Sequence, residues 1–213
     1  MSNVVFFDGV DDYVSIADNV VLRLTSPFTI IIRAKLIKAT GQQYLLGATA
    51  NKFGILYGWT ANSIQFQSVG YAGGDPNGAL MVLSPNSSWH HIVYSADNTV
   101  PSWKGFVDGN RIVNLNTNFT LPGGAATVYI ANASAFLGSM VVAEVQIYNR
   151  QLSDEEISYN NAHPNNPKRR GLVLNLTQDS IYGPTWLDLS GNANNGTYVG
   201  GAVPVTANRL AGR

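Results

Sequence analysis

The stretch "WKGFVDGNRIVNLN", residues 103–116, decides the fold class. Two short runs rich in Phe, Val and Ile flank Asp108-Gly109-Asn110, residue types that tolerate positive φ and close a two-stranded hairpin. Working outward, the same grammar recurs on both sides: "NVVFF", "DYVSIA", "FTIIIRAKLI", "QYLLGA", "FGILYGW", "SIQFQSV" and "ALMVLS" precede "HHIVYSA", and "ATVYIAN" and "MVVAEVQIY" follow the hairpin. Each run is bounded by Gly, Pro, Asn, Asp or Ser. A strand about every ten residues with turn chemistry between is the pattern of an all-β sandwich.

The chain has 213 residues, a length that one sandwich domain accommodates. Only 12% of residues are charged and the formal net charge is zero, so the basic footprint of a nucleic-acid binder is absent. Lys168, Arg169 and Arg170 form the one basic cluster, expected to be a solvated linker. No cysteine is present, which removes thiol catalysis, disulfides and zinc–thiolate sites together. The start "MSNVVFFDGV" does not read as a Sec signal, and nowhere do eighteen apolar residues run uninterrupted. A soluble protein without a membrane span is expected.

One helix stands out. In "NRQLSDEEISYNNAH", Ser153 precedes Glu156 by three residues, the spacing of a capping box, and Asp154 and Glu155 sit at the positive helix end. These carboxylates are therefore assigned to capping rather than acid–base chemistry. The organisation expected is a main sandwich over 1–162 with a short helix near 153–162, a Pro-rich linker at 163–170, and further strands in 171–213.

At "FFDGVDDYVSI" (6–16), "FTIIIRAKL" (28–36), "SSWHHIVYS" (87–95), "GFVDGNRI" (105–112) and "VVAEVQIYNRQLSDEEI" (141–157), the sequence resembles the laminin G-like group of concanavalin A-like jelly rolls. The order and spacing of the blocks match that family from residue 4 to about 161. The resemblance implies a two-sheet antiparallel jelly roll, in a family of mostly binding or assembly modules. The tail "RGLVLNL" and "TWLDLSGNANNGTYVGGA" (170–176 and 185–202) is similar to what precedes the "FDG" block in relatives, so the order of elements looks circularly permuted. The tail either completes its own sandwich or enters a neighbour's, since an unpaired edge is a template for another chain. Eight extended linker residues reach about 25 Å, which permits both.

Catalysis finds no residues to rest on. A glycanase needs two carboxylates facing one another across a groove, and in "VVAEVQIY" Glu144 stands alone. His90 and His91 are consecutive and point to opposite faces, one expected to be buried beside Trp89. Calcium is the cofactor candidate, because Asp8, Asp11 and Asp12 fall within "FDGVDDY" and hard cations take clustered oxygens. The resemblance implies that "VAEVQIY" runs near the "FDG" strand, which would bring Glu144 to Asp8 and Asp11; relatives carry Asp-Glu where Ala143-Glu144 stands here. For a glycan, exposed aromatics beside Gly-rich and Asn-rich loops are the candidates: Tyr57, Trp59, Tyr71 and Trp103, with "AGGDPNG" (72–78) a rim loop. Trp89 and Trp186 are expected as core anchors.

Three functions follow. The first is a non-enzymatic structural or decoration subunit of an extracellular particle such as a virion, assembling as a homo-oligomer or with other subunits through its C-terminal strands. The second is a carbohydrate-binding or adhesion module. The third is a glycanase, which the missing acid pair disfavours.

Overall fold

The computed structural model describes residues 3–37, 41–49, 53–58, 63–67, 81–82, 88–100, 102–116, 123–132 and 136–206. In chain order the strands are β1 (Asn3–Asp8), β2 (Tyr13–Ile16), β3 (Phe28–Leu36), β4 (Gln43–Ala48), β5 (Gly54–Tyr57), β6 (Ser63–Gln67), β7 (Met81–Val82), β8 (His90–Asp97), β9 (Ser102–Val107), β10 (Asn110–Leu115), β11 (Val128–Ile130) and β12 (Ser139–Tyr148). The helix α1 (Asp154–Ala162) follows, and then β13 (Leu172–Leu176), β14 (Ile181–Tyr182), β15 (Thr185–Trp186), β16 (Gly196–Val199) and β17 (Val203–Thr206).

These strands form two antiparallel sheets. The first runs β10-β9-β8-β3-β12-β1-β17, with β13 pairing the far half of β12; the second runs β14-β15-β16-β2-β11-β4-β5-β6-β7. The all-β sandwich expected from the spacing of turns is therefore observed. The β9–β10 hairpin turns at Asp108 (φ 51°) and Gly109 (φ 79°), the positive-φ pair that the Asp-Gly dipeptide offers.

Alternation along the strands fills the core. On β3, Phe28, Ile30, Ile32, Ala34 and Leu36 face the second sheet, while Ile31 faces outward. That outward face is roofed by α1: Ile31, Val93, Phe106, Tyr148 and Leu172 pack with Leu152 and Ile157. The helix starts where the sequence places it, with Ser153 Oγ accepting the Glu156 N–H at 3.2 Å and Glu156 Oε2 accepting the Ser153 N–H at 3.0 Å. Arg150 adds two bonds of 2.7 Å to the Glu156 carboxylate, which hold it well below the usual carboxylate range.

The aromatic anchors differ from expectation. Trp103 and Tyr57 are fully buried. Trp103 meets Tyr94 and Phe66 edge-on at 5.8 and 5.9 Å between ring centroids, and a side chain at Gly105 would collide with Phe66. Neither ring has a face to offer a ligand, because strand alternation turns both inward. Burial raises the Tyr57 hydroxyl above its ordinary pKa. Trp59 and Tyr71 lie outside the described residues. Trp186 is a core anchor, whereas Trp89, expected to be one, is 37% exposed; it precedes β8 rather than lying within it. His91 is the buried histidine.

Residues 171–206 pair within this chain. β13 adds to β12, β16 adds to β2, and β17 adds to β1 with Asn3 opposite Thr206. The segment before them is fastened rather than loose: the Lys168 N–H donates to Asn160 Oδ1, the Lys168 ammonium lies 3.7 Å from the Tyr159 ring centroid, and Arg169 donates to the Leu189 carbonyl.

Candidate functional site

The helix covers the outer face of the first sheet and leaves the outer face of the second without one among the described residues. Period-2 alternation fixes what that open face carries. Val14, Ile16, Val128, Ile130 and Trp186 point into the core, so Tyr13, Ser15, Tyr129 and Thr185 point away from it. Registers align them into a row across β14, β15, β16, β2 and β11: Tyr182 opposite Thr185, Thr185 opposite Thr197, Thr197 opposite Ser15, and Ser15 opposite Tyr129. At an interstrand spacing of about 4.8 Å the row spans ~19 Å. Tyr182 is 67% exposed, Thr197 is exposed, and the others are half-buried.

Tyr13 lies diagonally across from Tyr129, with ring centroids 5.7 Å apart and planes at 81°. An edge-to-face pair is rigid at low entropic cost, and each tyrosine joins an apolar ring to a hydroxyl. Beyond β11 the face closes. Gly47 and Gly54 continue the row, a side chain at Gly54 would strike the Tyr44 ring, and Tyr44, Leu56 and Gln65 are buried. The accessible strip therefore runs from β14 to β11.

Beside this strip, where β1 turns into β2 just before Tyr13, stands the acidic turn. Asp8, Asp11 and Asp12 can each place a carboxylate oxygen within 4.8 Å of the others. Part of this arrangement serves the turn itself. The Val10 N–H donates to Asp8 Oδ1 at 2.7 Å, and the Asp8 N–H donates to Asp12 Oδ2 at 3.0 Å. Asp8 and Asp11 are exposed while Asp12 is buried, and Asp12 Oδ1 has no hydrogen-bond partner. Burial, reinforced by the charges of Asp8 and Asp11, raises the Asp12 pKa against the pull of the Asp8 and Gly201 N–H groups. Clustered carboxylate oxygens, one of them orphaned, fit a hard cation, with water completing its shell.

Glu144 does not join them. Asp8 pairs with Ser139 and Glu144 with Arg33, five positions further along β12 or about 17 Å. The register thus separates the carboxylates that the sequence was expected to unite, and Asp12 takes the third place. Glu144 is 2% exposed under the helix side of the first sheet, where its carboxylate takes a bond from Gln146 and lies 3.5 Å from the Arg33 Nε. It borders a cavity of about 80 Å³ lined also by Pro164, Asn165, Thr177 and Gln178.

The residues of the open strip were missed by a reading that sought aromatics beside loops. A signal for them existed: "DYVSI", "TVYI" and "GTYV" alternate apolar residues with Tyr, Ser and Thr. What the sequence did not carry was which sheet the helix would cover.

A family model described as the concanavalin A-like lectin/glucanases superfamily matches residues 8–158. No curated protein matches the sequence. Among solved structures, the chain is similar to a Bacteroides ovatus protein assigned to carbohydrate binding, at 15% identity and a TM-score of 0.73 over 97% of this chain and 60% of that one. It is also similar to a heptameric pentraxin of Limulus polyphemus, at 12% identity and a TM-score of 0.55 over 75% of this chain and 82% of that one. The binding domain of botulinum neurotoxin DC gives 11% identity and a TM-score of 0.52 over 75% and 46%. At these identities the likeness is one of fold. The chain spans 60% of the length of the Bacteroides ovatus protein.

Proposed function

From the premise that the chain belongs to the concanavalin A-like lectin/glucanases superfamily, we propose that it is a carbohydrate-binding module whose recognition surface is the open strip from Tyr182 to Tyr129. The observation that carries this is the row of five hydroxyl-bearing side chains on one exposed sheet face, with an edge-to-face tyrosine pair at its end. A sugar presents apolar C–H faces ringed by hydroxyls, and aromatic rings beside donor–acceptor hydroxyls complement both. The Bacteroides ovatus likeness, which includes the C-terminal strands that build half of the strip, supports the same reading.

The proposed activity is binding without hydrolysis. Glu144, the carboxylate nearest to a catalytic candidate, lies on the other sheet and is engaged by Arg33 and Gln146. The particle-subunit reading drew on a tail free to enter a neighbour; in this chain those strands pair with β1, β2 and β12, which favours a self-contained module.

The test is titration against a panel of oligosaccharides and polysaccharides, with Tyr129→Ala as the probe of the surface. Binding that falls at least tenfold in Tyr129→Ala, at an unchanged far-UV spectrum, is the expected result. No binding to any member at millimolar concentration overturns the reading, and full retention of binding by the variant overturns the placement.

Calcium is proposed as a structural ion at Asp8, Asp11 and Asp12, favoured by the orphaned Asp12 oxygen. An ion bound only by the folded state raises its melting temperature. Millimolar calcium is expected to raise Tm by several degrees over chelator, and the rise should vanish in Asp11→Asn. Equal melting temperatures in the two buffers refute the site.

A further inference from the structure

Resting on the glycan-binding reading of the open strip, we propose that with no cation on the acidic turn the strip takes uncharged glycans and rejects carboxylate-bearing ones, and that the ion-free turn is the element that sets this preference. The strip itself carries no formal charge: Tyr13, Ser15, Tyr129, Thr185, Thr197 and Tyr182 are all neutral side chains at pH 7. The charge lies beside it, at the start of β2. Asp12 is the residue immediately before Tyr13, and the next strand of the strip leads into the same corner, since Gly200 packs so closely on Asp11 that a side chain there would meet the Asp11 carbonyl. Asp8 and Asp11 are solvent-exposed and, among the described residues, neither forms an ion pair.

A sugar ring held at the Tyr13–Tyr129 pair therefore sits within about one Debye length of two or three carboxylates at 0.1 M salt. The neutral hydroxyls of such a ring feel little of that field. A uronic or sialic acid carboxylate brought to the same place is repelled by each of them, and at about 10 Å in water the summed effect is about threefold in affinity at 10 mM salt and under about twofold at 0.1 M. Like-charge juxtaposition of this kind excludes wrong partners more than it strengthens right ones.

The experiment compares pairs matched except for the carboxylate charge: sialyllactose methyl ester with sialyllactose, carboxyl-reduced glucuronoxylan with glucuronoxylan, and the methyl ester of carboxymethyl-dextran with carboxymethyl-dextran. Affinities are measured in chelator at 10 mM and 500 mM salt, for the native chain and for a variant combining Asp8→Asn with Asp11→Asn. Asparagine keeps an oxygen for the Val10 N–H, so the turn retains its bond. For whichever pair binds, the neutral member is expected to be about threefold tighter at low salt. That ratio should shrink toward unity at high salt and in the variant. An acidic member that binds as tightly as its neutral counterpart, or a ratio unmoved in the variant, overturns the inference while leaving glycan binding intact. If no member of any pair binds, the glycan-binding reading falls and the inference falls with it.

Discussion

Glu144 and His91 sit in one row with Arg33 across the first sheet, His91 opposite Arg33 and Arg33 opposite Glu144. Both titratable groups are held in the form that burial prefers. Burial pushes Glu144 up to about 7 against the charge of Arg33 and the bonds from Arg33 and Gln146. Burial and then the Arg33 charge push His91 down to about 3, with Asp108 opposing. The signs are opposite. The folded state binds the Glu144 proton more tightly than the unfolded chain, so this group destabilises as pH rises from its ordinary value of 4.5 to about 7. For His91 the unfolded chain binds the proton more tightly, so stability is lost as pH falls from 6.5 to about 3. Between about 4.5 and 6.5 the two slopes offset, which predicts a plateau there and a decline on either side. Glu144→Gln keeps the shape and removes one slope. Its stability relative to the native chain, from urea unfolding, should be near zero at pH 4.5 and grow to at most about 3 kcal/mol at pH 8. A difference that stays flat across that range would show that Glu144 is solvated. The row also shows what the sequence withheld: "VVAEVQIY" marks a lone acid in a strand, but only the β3–β12 register tells whether it meets Asp8 or Arg33.

At the scale of elements, local chemistry was legible and facing was not. The Asp108-Gly109 turn and the Ser153–Glu156 capping box each close within a few residues, so sequence alone determines them. Strand facing depends on distant partners. Trp103 alternates with Lys104 and shares its face with Gly105, whose missing side chain leaves room for Phe66 from the other sheet. Read as an aromatic near a loop, it passed for a ligand contact; read by alternation against Lys104, it belongs inside. β12 is the harder case. Every one of its ten residues is buried, Glu144 and Gln146 included, because β1, β3 and β13 flank its edges and α1 closes over the outer face of its far half. Those polar residues are admitted by a ladder of bonds: Tyr148 Oη donates to Gln146 Oε1 at 3.2 Å, and Asn160 Nδ2 reaches Tyr148 Oη at 2.9 Å from the helix above. A buried polar group is tolerated only when so paired. The same covering of one sheet is what leaves the Tyr182-to-Tyr129 strip of the other open, so the location of the candidate site is a consequence of α1, an element that touches none of it.

For the whole molecule the tail is decisive. Its strands bury Leu174, Leu176 and Trp186 in the common core, and Trp186 Nε1 donates to the Thr177 carbonyl at 2.8 Å. Truncating such side chains singly costs about 2–5 kcal/mol each, comparable to the total stability of a domain. A chain ending at Asn166 also strips one hydrogen-bonded neighbour from each of β1, β2 and the far half of β12. It is therefore expected to lose cooperative unfolding rather than persist as a smaller sandwich. The complementary experiment changes the order of elements and removes none of them. Because Asn3 lies opposite Thr206, a linker of about four residues can join them, and new ends can be opened between Asn165 and Asn166. This places β13 to β17 ahead of β1, the order that the "FDG" resemblance implies for relatives, and preserves every strand pair. The rearranged chain should unfold cooperatively as a monomer by light scattering, with a modest loss of Tm from freeing the segment that Lys168 and Arg169 fasten. Suppose instead that the truncated chain folds and the native one is a discrete oligomer. The tail would then serve a neighbouring copy, and the open strip, half of which it builds, would be shared between two chains.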